Sequence, residues 1–106
     1  MTCDTNEGIR LLDTERADRI SVLGKALGDP IRVQLIHYIG AAPEGTACSC
    51  ELPSALGITQ PTMSHHLAKL VEAGILTRER RGRWAHYRLV EGCLRDDLDA
   101  LLGMGC

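Results

Sequence analysis

Two cysteines stand one residue apart in the stretch ACSCEL, as Cys48 and Cys50. On a helix such residues point about 200° apart and cannot hold one ion, whereas in an extended segment they share a face. Pro53 and the restriction that it places on Leu52 disfavour helix before this point. We therefore expect both thiols on an irregular segment leading into a helix, converging on one soft ion. Two incidental thiols are the alternative.

Two thiolates make an incomplete site, because soft ions take three or four. The other cysteines of the chain are Cys3, Cys93 and Cys106. Cys3 lies on an N-terminal arm that is expected to be mobile. Cys93 and Cys106 would be roughly 20 Å apart on a continuous helix, so they could meet only between antiparallel helices of two chains. Either source could complete the site.

The helices that position these thiols are predicted from capping residues and from apolar residues at helical spacing. Their limits are Asp13 or Thr14 to near Gly28, Asp29 to Gly40, about Leu52 to Gly57, and Thr59 to Gly74. The last two, separated by Gly-Ile-Thr, are typical of a helix-turn-helix.

After residue 74 the apolar period changes from helical to alternating. Ile75–Arg80 and Arg83–Leu89 are predicted strands joined at Arg81-Gly82, and a hairpin in this place is a wing. A last helix carries a leucine stripe, with its acidic residues elsewhere. We predict a mainly α winged helix-turn-helix, ordered α-α-α-α-β-β-α. One domain covers residues 13–106 after a flexible arm of residues 1–12.

The basic residues are concentrated where DNA contact is predicted. Gln60–Val90 holds six bases and two acids, a net charge of +4, whereas the rest holds six bases and twelve acids, a net charge of −6. Such a block is expected of a phosphate-contacting surface, although a solvated charged hairpin would look the same.

The predicted DNA-reading side chains lie on the outward face and the N-terminal half of the fourth helix, and near the wing tip. They offer groups suited to base edges and phosphates. They are Gln60, Thr62, Ser64, His65 and Lys69 on the helix and Arg80, Arg81 and Arg83 on the wing. His66 falls nearer the apolar stripe, so we interpret it as a hydrogen-bonded structural histidine.

The composition indicates the size of the core, the cellular compartment and the state of the cysteines. The 106 residues, 44% hydrophobic, suffice for a single core. The N-terminus carries acids where a secretory signal would carry bases, and no apolar run approaches the length of a membrane span. We expect a cytoplasmic protein whose five cysteines are thiols or ligands.

The runs TQPTMSHHL, EAGIL and GRWAHYRL give the chain its resemblance to a known family. Over most of its length it resembles the ArsR/SmtB family of winged-helix repressors. The resemblance implies a cytoplasmic homodimer, joined through its first and last helices, that binds a palindromic double-stranded operator. Such a dimer leaves the operator when a metal or metalloid binds, and it is not an enzyme.

The resemblance also bears on the effector. CxC at Cys48 and Cys50 resembles the ligand pair of the family's As(III) and Sb(III) sensors, and also of Cd(II) and Pb(II) sensors that add cysteines from the arm. One arsenite pattern has a further cysteine where this chain has Pro53, so Cys3 is favoured as the third ligand over Cys93 or Cys106.

Other interpretations of the cysteines stay open. The family's Zn(II) site between the last helices is expected to be absent or rebuilt, because only Glu91 and Cys93 match its first half and Met104 replaces a histidine. Thiol oxidation is a further alternative, although a Cys48–Cys50 disulfide would be strained. A CxC thiol oxidoreductase or metal carrier is the alternative from another class of protein. Neither function would explain the basic residues of the wing.

Overall fold

The structure, a computed structural model, describes residues 9–103 apart from the side chains of Glu91 and Cys93. A 3-10 turn at Pro43–Gly45 precedes the first strand. The helices and strands of the described part are α1 Thr14–Ala26, α2 Pro30–Ala41, β1 Thr46–Cys48, α3 Leu52–Leu56, α4 Gln60–Glu72, β2 Leu76–Arg81, β3 Trp84–Leu89 and α5 Glu91–Leu101. The predicted winged helix-turn-helix is confirmed, and β1 is an addition that the sequence analysis did not predict.

Side-chain caps start the helices where their residue types predict. The Asp13 carboxylate accepts a hydrogen bond from the Arg16 amide at 2.7 Å, and Asp29 accepts one from the Ile31 amide at 2.8 Å. The second bond lowers the pKa of Asp29. Gly57 ends α3 in the left-handed region, with φ of 69°, which a residue without Cβ adopts at little cost.

The three strands form one antiparallel sheet in the order β1-β3-β2. The wing hairpin closes on the pair Arg81 and Trp84, so its turn is Gly82-Arg83, one residue later than predicted. Gly82 has φ of 64° and permits this tight turn. On the other edge of β3, Ala47 pairs with Tyr87, which ties β1 to the wing.

The core lies between α2, α4 and the inner face of the sheet. Its fully buried side chains are aliphatic, as the scarcity of aromatic residues requires. The largest are Leu35, Ile39, Leu52, Met63, Leu67, Leu70, Ile75 and Leu76. Among the helices of residues 9–103, none is long and apolar enough to cross a membrane.

An ion pair joins the first and last helices. Asp97 on α5 is only 4% exposed, and its carboxylate lies 3.1 Å from Nη2 of Arg19 and 3.5 Å from Nε of Arg16. From the helical spacing of the leucines in α5, we expected its acidic residues to face away from the packed side of the helix. Instead Asp97 packs against α1, because two arginines there neutralise it, while Leu98 and Leu101 stay exposed.

Candidate functional site

The cysteine pair lies between the wing sheet and the helix-turn-helix. Cys48 is the last residue of β1, and Cys50 lies in the turn before α3. Their Cα atoms are 5.2 Å apart, the Cys50 amide donates to Sγ of Cys48 at 3.1 Å, and the two sulfur atoms are joined in a disulfide. The thiols therefore converge, as predicted. Two expectations were wrong: the sulfurs are joined rather than free, and Cys48 belongs to a strand because β1 pairs with β3.

The Glu51 side chain folds back over this turn. Its Oε1 accepts a hydrogen bond from the Cys48 amide at 3.0 Å, and its Oε2 accepts one from the Tyr38 hydroxyl at 2.7 Å. The Tyr38 bond, then the amide bond, and then the charge of His86 lower the pKa of Glu51. The same hydroxyl bond raises the pKa of Tyr38. Neither Tyr38 nor Glu51 was predicted from sequence, since the bond between them links α2 to the segment before α3.

The first cysteine is attached directly to the wing. Cys48 pairs with His86 of β3. On either side of that pair, the Thr46 hydroxyl donates to the Tyr87 carbonyl at 3.1 Å and the Ser49 amide donates to the Ala85 carbonyl at 2.8 Å. A change of backbone at Cys48 therefore acts on the strand that leads to the wing tip.

The side chains of the three candidate third ligands lie outside the described part of the structure. Cys3 and Cys106 fall outside residues 9–103, as does Met104 of the alternative zinc site. Cys93 and Glu91 lie in α5, but their side chains are not among those described. Within the described part of the chain, no group of three or more histidine, cysteine, aspartate or glutamate residues is arranged to hold a metal ion. Ligation by Cys3, Cys93 or Cys106 stays a prediction.

The predicted DNA-reading residues of α4 are all exposed, and Thr62, His65 and Lys69 lie on one side of the helix. Thr59 caps the helix, accepting from the Thr62 amide at 3.4 Å and donating to the Thr62 hydroxyl at 3.0 Å. All five predicted side chains on this helix are exposed, namely Gln60, Thr62, Ser64, His65 and Lys69. The exposure of Thr62, His65 and Lys69 agrees with the predicted helical geometry, and the contact of all five residues with DNA stays a prediction.

His66 holds α4 against the rest of the domain. It is 8% exposed, and its Nδ1 lies 3.3 Å from Nη1 of Arg32, so it is the structural histidine that was predicted. Arg32 also donates to the carbonyls of Ala26 at 2.6 Å and Lys25 at 3.4 Å. Sequence reasoning missed this arginine, whose three partners lie on two other helices.

The wing arginines differ in how far they are engaged within the chain. Arg80, Arg81 and Arg83 are exposed, as predicted. Arg81 forms an ion pair with Glu79 at 3.0 Å, and Arg80 donates to the Gly82 carbonyl at 3.1 Å. Part of the basic block therefore stabilises the hairpin itself.

The comparison with known proteins agrees with this architecture. Residues 29–78 match the description "Bacterial regulatory protein, arsR family". The arsenical resistance operon repressor of Bacillus subtilis is 33% identical over 78 residues, which cover 70% of this chain and 72% of that protein. The chain belongs to the arsR family. This family comprises DNA-binding transcriptional regulators and is not a class of enzymes, which argues against the rival thiol oxidoreductase.

Two further relatives of this arsR-family chain differ in how much they share. The arsenic resistance transcriptional regulator ArsR1 of Pseudomonas putida is 47% identical over 68 residues, covering 64% of this chain but only 52%, about half, of that protein. The transcriptional repressor BigR from Xylella fastidiosa superposes with a TM-score of 0.67 at 32% identity, covering 96% of this chain and 97% of that one.

Proposed function

We propose that this arsR-family chain is a repressor that binds a palindromic operator as a homodimer and releases it when As(III) or Sb(III) binds. Cys48, Cys50 and Cys3 are the proposed thiolate ligands. The observation that carries the proposal is the convergence of the Cys48 and Cys50 sulfurs at the junction of the wing strand and the helix-turn-helix.

The chain's own residues supply the recognition of a metalloid. Once reduced, Cys48 and Cys50 present two soft ligands on one side of the turn, and soft ligands favour thiophilic ions over oxygen-loving ones. Ligation would restrain the turn between β1 and α3. Because the turn connects to β3 on one side and to α3 on the other, both the wing and the helix-turn-helix would shift relative to DNA.

The proposed DNA surface combines α4 and the wing. The five exposed polar side chains of α4 would meet base edges and phosphates in the major groove, while Arg80, Arg81 and Arg83 would reach the flanking backbone. Linkage is reciprocal, so DNA must weaken the metalloid site by the factor by which the metalloid weakens DNA binding, typically about 1–3 kcal/mol.

The homodimer is proposed to form through α1 and α5. Large apolar side chains remain exposed along this side of the described chain, which is unusual for a surface that stays in water. They include Ile9, Leu11, Leu12, Leu98, Leu101 and Leu102. Pairing would cover them and would place two copies of α4 against the two halves of a palindrome.

Fluorescence anisotropy tests the proposal on a labelled DNA fragment from directly upstream of the gene, titrated with arsenite under reducing conditions. We expect release near one equivalent per protomer. Binding that arsenite leaves unchanged would disprove metalloid sensing, and the same assay with Cd(II), Pb(II) and Zn(II) would then identify the effector. Absence of specific binding would refute the repressor itself.

Cysteine variants assign the ligands. Cys50→Ser should bind the operator normally and fail to release it with arsenite, because one thiolate is lost while the DNA surface is unchanged. Cys93→Ser and Cys106→Ser are matched controls that remove a thiol elsewhere and should release normally. Loss of DNA binding in Cys50→Ser would show that this cysteine is structural.

Thiol oxidation is the second candidate signal, and the joined sulfurs of Cys48 and Cys50 favour it. Hydrogen peroxide would convert the two thiols to a disulfide, with release of two water molecules per peroxide. If oxidation is the signal, peroxide should release the wild-type protein but not Cys50→Ser, and a reductant should restore binding. Equal affinity of the reduced and oxidised forms would exclude it.

A further inference from the structure

The outer face of the sheet places a histidine beside the cysteine pair. The Ser49 amide bonds to the Ala85 carbonyl, so Ser49 and Ala85 form a hydrogen-bonded pair. Such pairs alternate in an antiparallel ladder, which makes the preceding pair, Cys48 and His86, a non-hydrogen-bonded one. The Cys48 amide accordingly donates to Glu51 instead. Side chains in pairs of this kind approach most closely, with Cβ atoms about 5 Å apart.

His86 has no place in the core or on the proposed DNA surface. Its neighbours along β3, Ala85 and Tyr87, are buried on the inner face, so His86 belongs to the outer face with Cys48, and both are half-buried. Its partner on the other side, Glu79, is neutralised by Arg81. His86 thus lies on the outer face of the sheet between Cys48 of β1 and Glu79 of β2.

Glu51 brings a carboxylate to the same place. Its Oε1 accepts a hydrogen bond from the Cys48 amide, so the carboxylate lies beside the residue that pairs with His86. Imidazoles that bind metal ions usually donate their second ring N–H to a carboxylate. Two sulfurs, one imidazole and an adjacent carboxylate are a ligand set for borderline divalent ions, whereas a trivalent metalloid takes thiolates.

We propose that, in the reduced protein, His86 completes the Cys48–Cys50 pair into a site for a borderline divalent ion of the zinc and cadmium class. The inference rests on the proposed effector site, because it uses the same two cysteines, but it needs no third cysteine and no second chain. It concerns the reduced pair, because disulfide sulfurs are not thiolate ligands and the described residues hold no metal-binding group of three in the oxidised state.

The ligand distances are compatible with this pairing. Zinc–sulfur and zinc–nitrogen bonds are about 2.3 Å and 2.0 Å, so a bound sulfur and nitrogen lie within about 4 Å of each other. Side chains whose Cβ atoms are about 5 Å apart can meet that requirement by rotation. The consequence is selectivity: His86 would serve divalent ions, and Cys3 would serve As(III).

Titration of the full chain with Co(II), a spectroscopic substitute for zinc, tests the proposal under anaerobic conditions with a phosphine reductant. We expect thiolate-to-cobalt charge transfer and the visible bands of a tetrahedral ion, with quenching of Trp84, the only tryptophan, which lies on the same strand. His86→Gln should weaken Co(II) binding at least about ten-fold. His37→Gln, on α2, is the matched control and should bind normally.

Arsenite binding to the same variants separates the inference from the proposed function. His86→Gln should bind arsenite as the wild type does, whereas Cys3→Ser should lose arsenite affinity and keep its Co(II) spectrum. Unchanged Co(II) binding in His86→Gln, or Co(II) binding without a thiolate band, would overturn the role of His86. Failure of arsenite to release DNA, with the Co(II) results as expected, would instead refute metalloid sensing alone. Urea unfolding of each variant verifies that it is folded.

Discussion

At the scale of single residues, Glu51 connects three parts of the site. Its two carboxylate oxygens hold the Cys48 amide and the Tyr38 hydroxyl, and its charge interacts with His86. The turn that carries the cysteines is therefore shaped before any ligand binds. A pre-shaped turn reduces the ordering cost of ligation.

Replacing Glu51 should cost stability in a pH-dependent way. Because folding lowers the pKa of Glu51 below its ordinary value of 4.5, its contribution is present above pH 4.5 and is lost as the pH falls through the lowered value. Glu51→Gln should lower the free energy of unfolding by about 1 kcal/mol at neutral pH, since the group is exposed, and by less in acid. Urea unfolding at several pH values measures this, with Glu72→Gln as control. A difference independent of pH would contradict the assignment.

At the scale of secondary structure elements, Arg32 joins three helices. From α2 it binds two carbonyls at the end of α1 and His66 of α4. Because α1 belongs to the proposed dimer surface and α4 to the proposed DNA surface, this contact sets how the two surfaces are oriented. Lysine lacks the planar fork that makes these bonds together.

Arg32→Met should weaken operator binding several-fold and lower the free energy of unfolding by about 1–3 kcal/mol, because three hydrogen bonds are lost while the side-chain stem is kept. Arg32→Lys should not restore the affinity. His66→Phe removes only the hydrogen bond between Arg32 and α4. It should therefore lower the operator affinity more than the free energy of unfolding. Anisotropy and urea unfolding provide the two measurements. Wild-type affinity in folded Arg32→Met would disprove the positioning role.

The wing arginines should differ in their effect on the salt dependence of DNA binding. Arg83→Ala should reduce the slope of log K against log salt by about 0.9, the value for one phosphate contact. Arg88 donates to the Glu44 carbonyl instead, so Arg88→Ala is the control and should leave the slope unchanged. Anisotropy over a range of salt concentrations gives both slopes. Equal slopes for wild type and Arg83→Ala would remove this residue from the DNA surface.

At the scale of the whole molecule, α1 and α5 are joined by charge and leave their apolar side chains exposed. Asp97 is buried between Arg16 and Arg19, while Leu101 and Leu102 are 55% and 67% exposed. The ion pairs align the two helices, and the leucines are available to a second chain. A substitution that prevents dimerisation should therefore also weaken operator binding.

Leu101→Asp should give a monomer with at least about ten-fold weaker operator binding, because a buried charge opposes pairing and each half-site alone binds weakly. Sedimentation velocity measures the mass and anisotropy the affinity. Val33→Asp, at an exposed position of α2, introduces the same charge elsewhere and should remain dimeric. A dimeric Leu101→Asp protein would place the interface on another surface.

The sequence alone determined the parts of this protein that depend on near neighbours. Asp13, Asp29 and Thr59 start helices through bonds to amides two or three residues away, and Gly57 ends one through its own backbone freedom. The same short-range rules predicted the helix-turn-helix, the wing and the burial of His66. Those rules suffice because each helical turn is closed within four residues.

Only the tertiary structure decided which distant residues meet. β1 has three residues, too few for a recognisable alternating pattern, and it exists because β3 offers it a free edge. The pairing of Cys48 with His86, the bond from Tyr38 to Glu51 and the burial of Asp97 each join residues that no local pattern connects. Their partners are chosen by packing of the whole chain, where hydrogen bonding and charge neutralisation outweigh local preference.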